Sequence, residues 1–152
     1  MILLLALLIG VVAGLRTMTA PAAVAWAAQL GWISLDGTWL AFVGFRFTPW
    51  ILTVLALAEL VTDQLPATPS RKVPPQFIAR ILSGGLSGAA LGAAGGALAL
   101  GAVAGVLGAV IGTIGGAAAR ARLAAAFGND RPAALLEDVV AIGGAFLIVA
   151  AA

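Results

Sequence analysis

Between residues 77 and 119 a single ionisable side chain, Arg80, interrupts an otherwise uncharged run of Leu, Val, Ile, Ala, Gly and a few hydroxyls. A bilayer crossing takes about 20 apolar residues. The run is too long for one crossing and about right for two. The rest of the chain is of the same kind, with 62% hydrophobic and 9% charged residues, against roughly 25% charged in a soluble domain. So few charges cannot cover a water-facing surface. The sequence therefore predicts an all-α, polytopic helical membrane protein of about five transmembrane helices, forming a single integral membrane domain over residues 1–152.

The residue types present also exclude chemistry. The chain has no Cys, His or Tyr. Disulfides, thiolate nucleophiles and zinc–sulfur sites are ruled out, as are the commonest general base and the phenol acids. A formal net charge of +2 is too small to point to nucleic acid. No catalytic residue, metal ligand or cofactor is expected, and the lipid bilayer is the expected partner.

Residues 2–30 form a first apolar segment whose middle is unusual. Gly14-Leu15-Arg16-Thr17-Met18-Thr19-Ala20-Pro21 carries a charge, two hydroxyls, a Gly and a Pro. Pro lacks a backbone donor and clashes with the preceding turn, while Thr19 before Pro21 reads as a helix start with Thr19 as N-cap. The segment is either a Pro-kinked helix or two half-helices. Its apolar start, residues 2–13, has no Lys or Arg before it and reads as a retained helix, not as a signal-peptide core.

Residues 31–48 hold Trp32, Trp39, Phe42, Phe45 and Phe47, with Trp50 just beyond. Trp is favoured at membrane–water interfaces, so a loop with a short interfacial helix is expected. Thr48 as N-cap and Pro49 as first helical residue open a second helix. It carries Glu59 and Asp63 on one face and ends at Pro66 and Pro69. Residues 66–76 form a polar, Pro-rich loop. Glycines then recur four apart at Gly84, Gly88, Gly92 and Gly96, followed by Gly101 and Gly105, and by Gly108, Gly112 and Gly116. Stripes of small residues let helix backbones approach closely in lipid. This predicts a Gly-rich helix pair turning near residues 95–101, with Gly84, Gly88 and Gly92 facing Gly105, Gly108 or Gly112. The same stripe could serve a second copy, so a homo-oligomer is a further expectation. A basic connection over 120–131 leads to a last helix, with Asp130 as N-cap, Pro132 just inside, and Glu137 and Asp138 in the first two turns.

Charge sets an orientation. The loops at 66–76 and 120–131 hold Arg71, Lys72, Arg120, Arg122 and Arg131, whereas the opposite side holds Arg46. Basic residues collect on the cytoplasmic side. With five crossings the N-terminus and loop 66–76 are both cytoplasmic; a re-entrant first segment moves the N-terminus outside and leaves the rest. A faint echo joins Gly14-Leu15 with Glu59 to Gly85-Leu86 with Glu137, in the manner of a transporter repeat.

Read in order, Gly14-Leu15-Arg16, Ala58-Glu59-Leu60-Val61-Thr62-Asp63 with Pro66, Arg80 with Ser83-Gly84, and Leu136-Glu137-Asp138 run through nearly the whole chain. In this order and spacing the sequence resembles an uncharacterised family of small bacterial membrane proteins catalogued as domain of unknown function 4126. The resemblance implies an all-helical membrane fold in a bacterial inner membrane, and no activity. The chain departs from it at Ser70-Arg71-Lys72-Val73-Pro74-Pro75, which is more basic and richer in proline.

Ionisable groups within membrane helices are costly and usually face protein or water with a partner. Arg16, Glu59, Asp63, Arg80, Glu137 and Asp138, with the hydroxyls of Thr17 and Thr19, make up the candidate polar centre. One reading is an ion-paired network that fixes helix register: Arg16 with Glu59 or Asp63, and Arg80 with Glu137 or Asp138. The other is a pocket. Half-helix amides beside Arg16 would favour an anion; unpaired carboxylates would favour a proton or cation. A transporter or channel-like protein for an ion or small polar solute is one functional expectation, and a structural or lipid-interacting protein the other. An enzyme is not expected, since four carboxylates that could bind magnesium come with no recognisable signature.

Overall fold

The computed structural model describes residues 1–63 and 73–152. They form α1 (Ile2–Leu15), α2 (Thr19–Gln29), a 3-10 helix (Trp39–Gly44), α3 (Thr48–Thr62), α4 (Pro74–Ala94), α5 (Leu98–Phe127) and α6 (Asp130–Ala151), with no strand among the described residues. Three of these, α4, α5 and α6, are long and apolar enough to cross a membrane, and α1 and α3 are shorter apolar helices. Most of the loop expected at 66–76, including its basic pair and the prolines that end the second helix, lies outside the described residues.

The first segment is broken, the second of the two forms open to it. Arg16 leaves α1 in extended backbone (φ −139°, ψ 117°) and α2 restarts at Thr19. Pro21 falls in the first turn of α2, where the amide it lacks would have had no intrahelical partner. The two halves point in opposite directions. α1 runs antiparallel to α4, with Ile2 against Gly95 and the Gly14 carbonyl against Arg80. α2 runs antiparallel to α3, with Trp26 against Thr53 and Trp50, and the start of α2 against Glu59. Since α3 descends toward the end where α4 begins, α1 enters and α2 returns. The pair is a helical hairpin.

This corrects one expectation. The N-terminus lies beside the 95–97 turn, at the far end of α4 from Pro74, and so opposite the end to which loop 66–76 attaches. A first segment that spans would have put both at one end. We refer below to the basic end, where α3 and α5 finish and α4 and α6 begin, and to the aromatic end, which carries Trp26, Trp32, Trp50 and Phe146.

Glycine lets α1, α4 and α5 pack at backbone contact. A Cβ built on Gly84 would stand 2.6 Å from the Ala109 Cβ, on Gly88 2.7 Å from the Gly105 Cα, and on Gly92 2.7 Å from the Gly101 Cα. Gly105 thus takes an expected place opposite α4, and Gly101 joins it. Gly108 and Gly112 do not: they lie against Leu7, Gly10 and Val11 of α1. Helical phase does not separate them: all four lie within about 60° on one face of α5, and the neighbour changes with position along the helix, α4 at Gly101 and Gly105 and α1 at Gly108 and Gly112. The α4–α5 turn falls within the expected window, with Gly96 at φ +75°, a left-handed conformation that favours Gly.

Two caps also differ. Thr48 sits inside α3 and its hydroxyl donates to the Phe42 carbonyl at 2.8 Å. Asn129, not Asp130, caps α6, accepting from the Arg131 amide at 3.1 Å.

Candidate functional site

The break between α1 and α2 leaves the last carbonyls of one helix and the first amides of the other without intrahelical partners. Side chains from α3 and α4 answer them. The amides of Thr17 and Met18 donate to the two oxygens of the Glu59 carboxylate at 2.6 and 2.7 Å. On the other side, Arg80 Nη1 donates to the Gly14 carbonyl at 2.8 Å, Arg16 Nη1 to the Leu15 carbonyl at 3.2 Å, and Ser83 Oγ to the Thr17 carbonyl. Thr19, expected as N-cap, is the first residue of α2, and no side chain of α2 caps it. Glu59, from α3, instead takes the two amides just ahead of α2. A carboxylate suits the positive end of a helix dipole, and a guanidinium the negative end.

Arg16 is fully buried at the centre of the site. Its Nη1 lies 3.0 Å from Asp63 Oδ2 and 3.5 Å from Glu137 Oε1. Its Nε donates to Asp138 Oδ1 at 2.6 Å, its Nη2 pairs with the same oxygen, and Nη2 also reaches the Ala134 carbonyl at 3.4 Å. Of the two partners expected for Arg16, Asp63 takes the place. Glu59 is committed to the α2 amides and lies 4.0 Å from Arg80 Nη2. The basic end therefore gathers six of the expected residues: Arg16, Glu59, Asp63, Arg80, Glu137 and Asp138. Thr17 joins them through its backbone. Thr19 does not; it lines an apolar groove between α2, α3 and α6.

One participant falls outside the expected set. Arg120, read as part of a basic connection, donates through Nε and Nη2 to Asp130 at 2.9 and 2.7 Å, approaches Glu137 Oε2 at 3.7 Å, and reaches the Asp63 carbonyl at 3.4 Å. A signal was present. Arg120 and Glu137 are equidistant from the turn at Gly128 and Asn129, so an antiparallel helix pair brings them level. Ser83 was visible in a motif but carried no charge to mark it.

Among the described residues no group of three or more acidic side chains is arranged to hold a metal ion. Glu59, Asp63, Asp130, Glu137 and Asp138 are each turned to a guanidinium or a backbone amide. The fold and site together define an all-helical protein with three apolar helices of spanning length and a buried ionic centre at a broken first helix. Compared with protein-family models, curated proteins and solved structures, the chain matches none.

Proposed function

We propose that this chain is a small polytopic membrane protein that moves a proton or another small cation through the ionic centre at the basic end. The observation carrying this reading is the fully buried Arg16 with three carboxylates, Asp63, Glu137 and Asp138, within ion-pair reach. One guanidinium neutralises one carboxylate. A carboxylate that takes up a proton loosens from its guanidinium, and the remaining two can re-form the pair, so protonation and rearrangement are coupled. Ion sites built where a discontinuous helix leaves its ends beside charged side chains recur in transporters. The anion alternative is less supported, because the amides of Thr17 and Met18 at the break are held by Glu59.

In this reading α3 to α6 cross the membrane and α1–α2 is re-entrant, giving four crossings. The basic end faces the cytoplasm and the N-terminus lies outside. A bacterial inner membrane, and membership of the family catalogued as domain of unknown function 4126, belong to the same proposal. Gly84, Gly88, Gly92, Gly101, Gly105, Gly108 and Gly112 face helices of their own chain, so these glycines give no support to a homo-oligomer. A second reading, a structural protein whose charges complete a broken helix, is favoured by the saturation of Arg16.

The test is flux in reconstituted vesicles under an imposed proton, sodium or potassium gradient. The wild type should dissipate one gradient. Glu137→Gln and Asp138→Asn should lose flux while keeping their helicity and migration in detergent. No flux with any of the three ions, or variants that leave it unchanged, would return the protein to the structural reading.

A further inference from the structure

A groove of about 420 Å³ runs along α2 between α3 and α6. It is separate from the ionic centre and independent of the transport reading. Its floor is made of small residues, Ala23 and Ala27 among them, and α3 and α6 stand apart as walls. We propose that this groove holds one acyl chain of a bilayer phospholipid whose headgroup lies at the aromatic end.

Three observations select that occupant. The first is length. The groove follows α2 from Thr19 to Leu30, about 16 Å at 1.5 Å per residue; half of a bilayer hydrocarbon core is about 15 Å. A chain from one leaflet fits end to end. The second is the asymmetry of the ends. At one end stand Trp26, Trp32 and Phe146, with Trp50 edge-on to Trp26 and Phe146 edge-on to Trp32, and such rings sit at headgroup level. The other end closes at Thr19 and Leu60, beside the ionic centre. The third is charge. Arg46 is exposed, 5.6 Å from the exposed Phe47 ring and a few residues before Trp50, and it places a cation at the headgroup end.

The groove stays open because the polar groups nearby are engaged. Thr53 accepts from the Trp26 indole at 2.8 Å and donates to the Pro49 carbonyl at 2.6 Å, which ties α3 to α2 and leaves it off α6. An unfilled gap would forfeit dispersion contacts along its whole lining; a saturated chain restores them.

The experiment is native mass spectrometry of the full chain extracted from vesicles of phosphatidylglycerol and phosphatidylethanolamine. The wild type should retain one phospholipid per chain. Ala23→Leu with Ala56→Leu, both part-exposed lining positions, should lower retention about tenfold, a change of about 1.4 kcal/mol in binding. Ala58→Leu, on the same helix but outside the groove, should not. Arg46→Gln should reduce the preference for phosphatidylglycerol. Absence of retained lipid on the wild type, a second copy or a free fatty acid in its place, or equal retention by the groove and control variants would overturn the proposal. An unchanged headgroup preference in Arg46→Gln would overturn the orientation. The wild-type spectrum decides the matter even if the double variant does not fold.

Discussion

Arg16 and Asp63 offer the sharpest test of the ionic centre. Their atoms are 3.0 Å apart, with Arg16 fully buried and the Asp63 side chain 13% exposed. At an effective dielectric of about 20, unit charges 4 Å apart attract by roughly 4 kcal/mol. The net coupling must be smaller, because Arg16 is shared with Glu137 and Asp138, which remain when Asp63 is neutralised. Arg16→Met strips the cation from all three carboxylates, and losing one partner of a buried pair costs about 3–5 kcal/mol. Asp63→Asn should cost less, about 1–3 kcal/mol. Combined, the two should fall short of their sum by about 1–3 kcal/mol, the range for residues in one network. The assay is reversible unfolding in mixed micelles, followed by helicity. Additivity within about 0.5 kcal/mol would refute the pair, and a wild-type-like Arg16→Met would refute the centre. Arg16→Lys should lie between, keeping the charge but losing the fork that reaches Asp138 and Asp63 together.

Backbone contact at Gly88 predicts that Gly88→Ala destabilises by about 1–3 kcal/mol through overpacking, whereas Gly115→Ala, with nothing within 4 Å of the new Cβ, should stabilise by up to about 1 kcal/mol through helix propensity; equal thermal shifts would contradict the packing. The hairpin predicts that a tag at Met1 and a Cys introduced at Gly96 are reached by an impermeant reagent from one side of sealed vesicles, and a Cys at Gly128 from the other. The natural chain has no Cys to interfere, and labelling of Met1 and Gly128 from one side would exclude the re-entrant path. Glu59→Gln should lose about 1.5–3 kcal/mol, the value of hydrogen bonds to a charged group, because the amide keeps one acceptor for two backbone donors; an unchanged unfolding midpoint would show that the α2 amides do not depend on the carboxylate.

What the sequence made legible follows from where its signals are local. Apolar length marks α4, α5 and α6 directly, and the hydroxyl–charge–Pro cluster at residues 14–21 marks the break. The direction of α2 after the break is not local. It depends on which helix supplies the partner for Trp26, and Thr53 has no pattern that identifies it. The same holds for the glycines. Spacing of four shows that a stripe exists, but whether Gly108 faces α4 or α1 depends on where along α5 the two helices cross that one face. In the ionic centre the charged members were visible because charge is rare in this chain. The exchange of partners between Glu59 and Asp63 was not, since both lie on one face of α3 and only the position of the α2 amides decides between them.

The balance of charges in the centre bears on why it is there. Within hydrocarbon no water can satisfy a broken helix, so every freed backbone group needs a protein partner. Glu59, Arg80, Ser83 and Arg16 meet that need, and one carboxylate would suffice to neutralise Arg16. A continuous helix with an apolar residue at position 16 would avoid the whole arrangement. Instead Arg16 has Asp63, Glu137 and Asp138 around it, and Arg120 reaches both Glu137 and Asp130. Glu59 and Ser83 bond the freed backbone directly, while Asp63, Glu137 and Asp138 face the Arg16 guanidinium. Loss of Glu59 or Ser83 must be read first as damage to the hairpin. Glu137 and Asp138 face the Arg16 guanidinium, and their neutralisation tests a transported proton against a structural charge. If Glu137→Gln and Asp138→Asn unfold the protein as readily as Glu59→Gln does, the excess is itself structural, and the case for transport loses its basis.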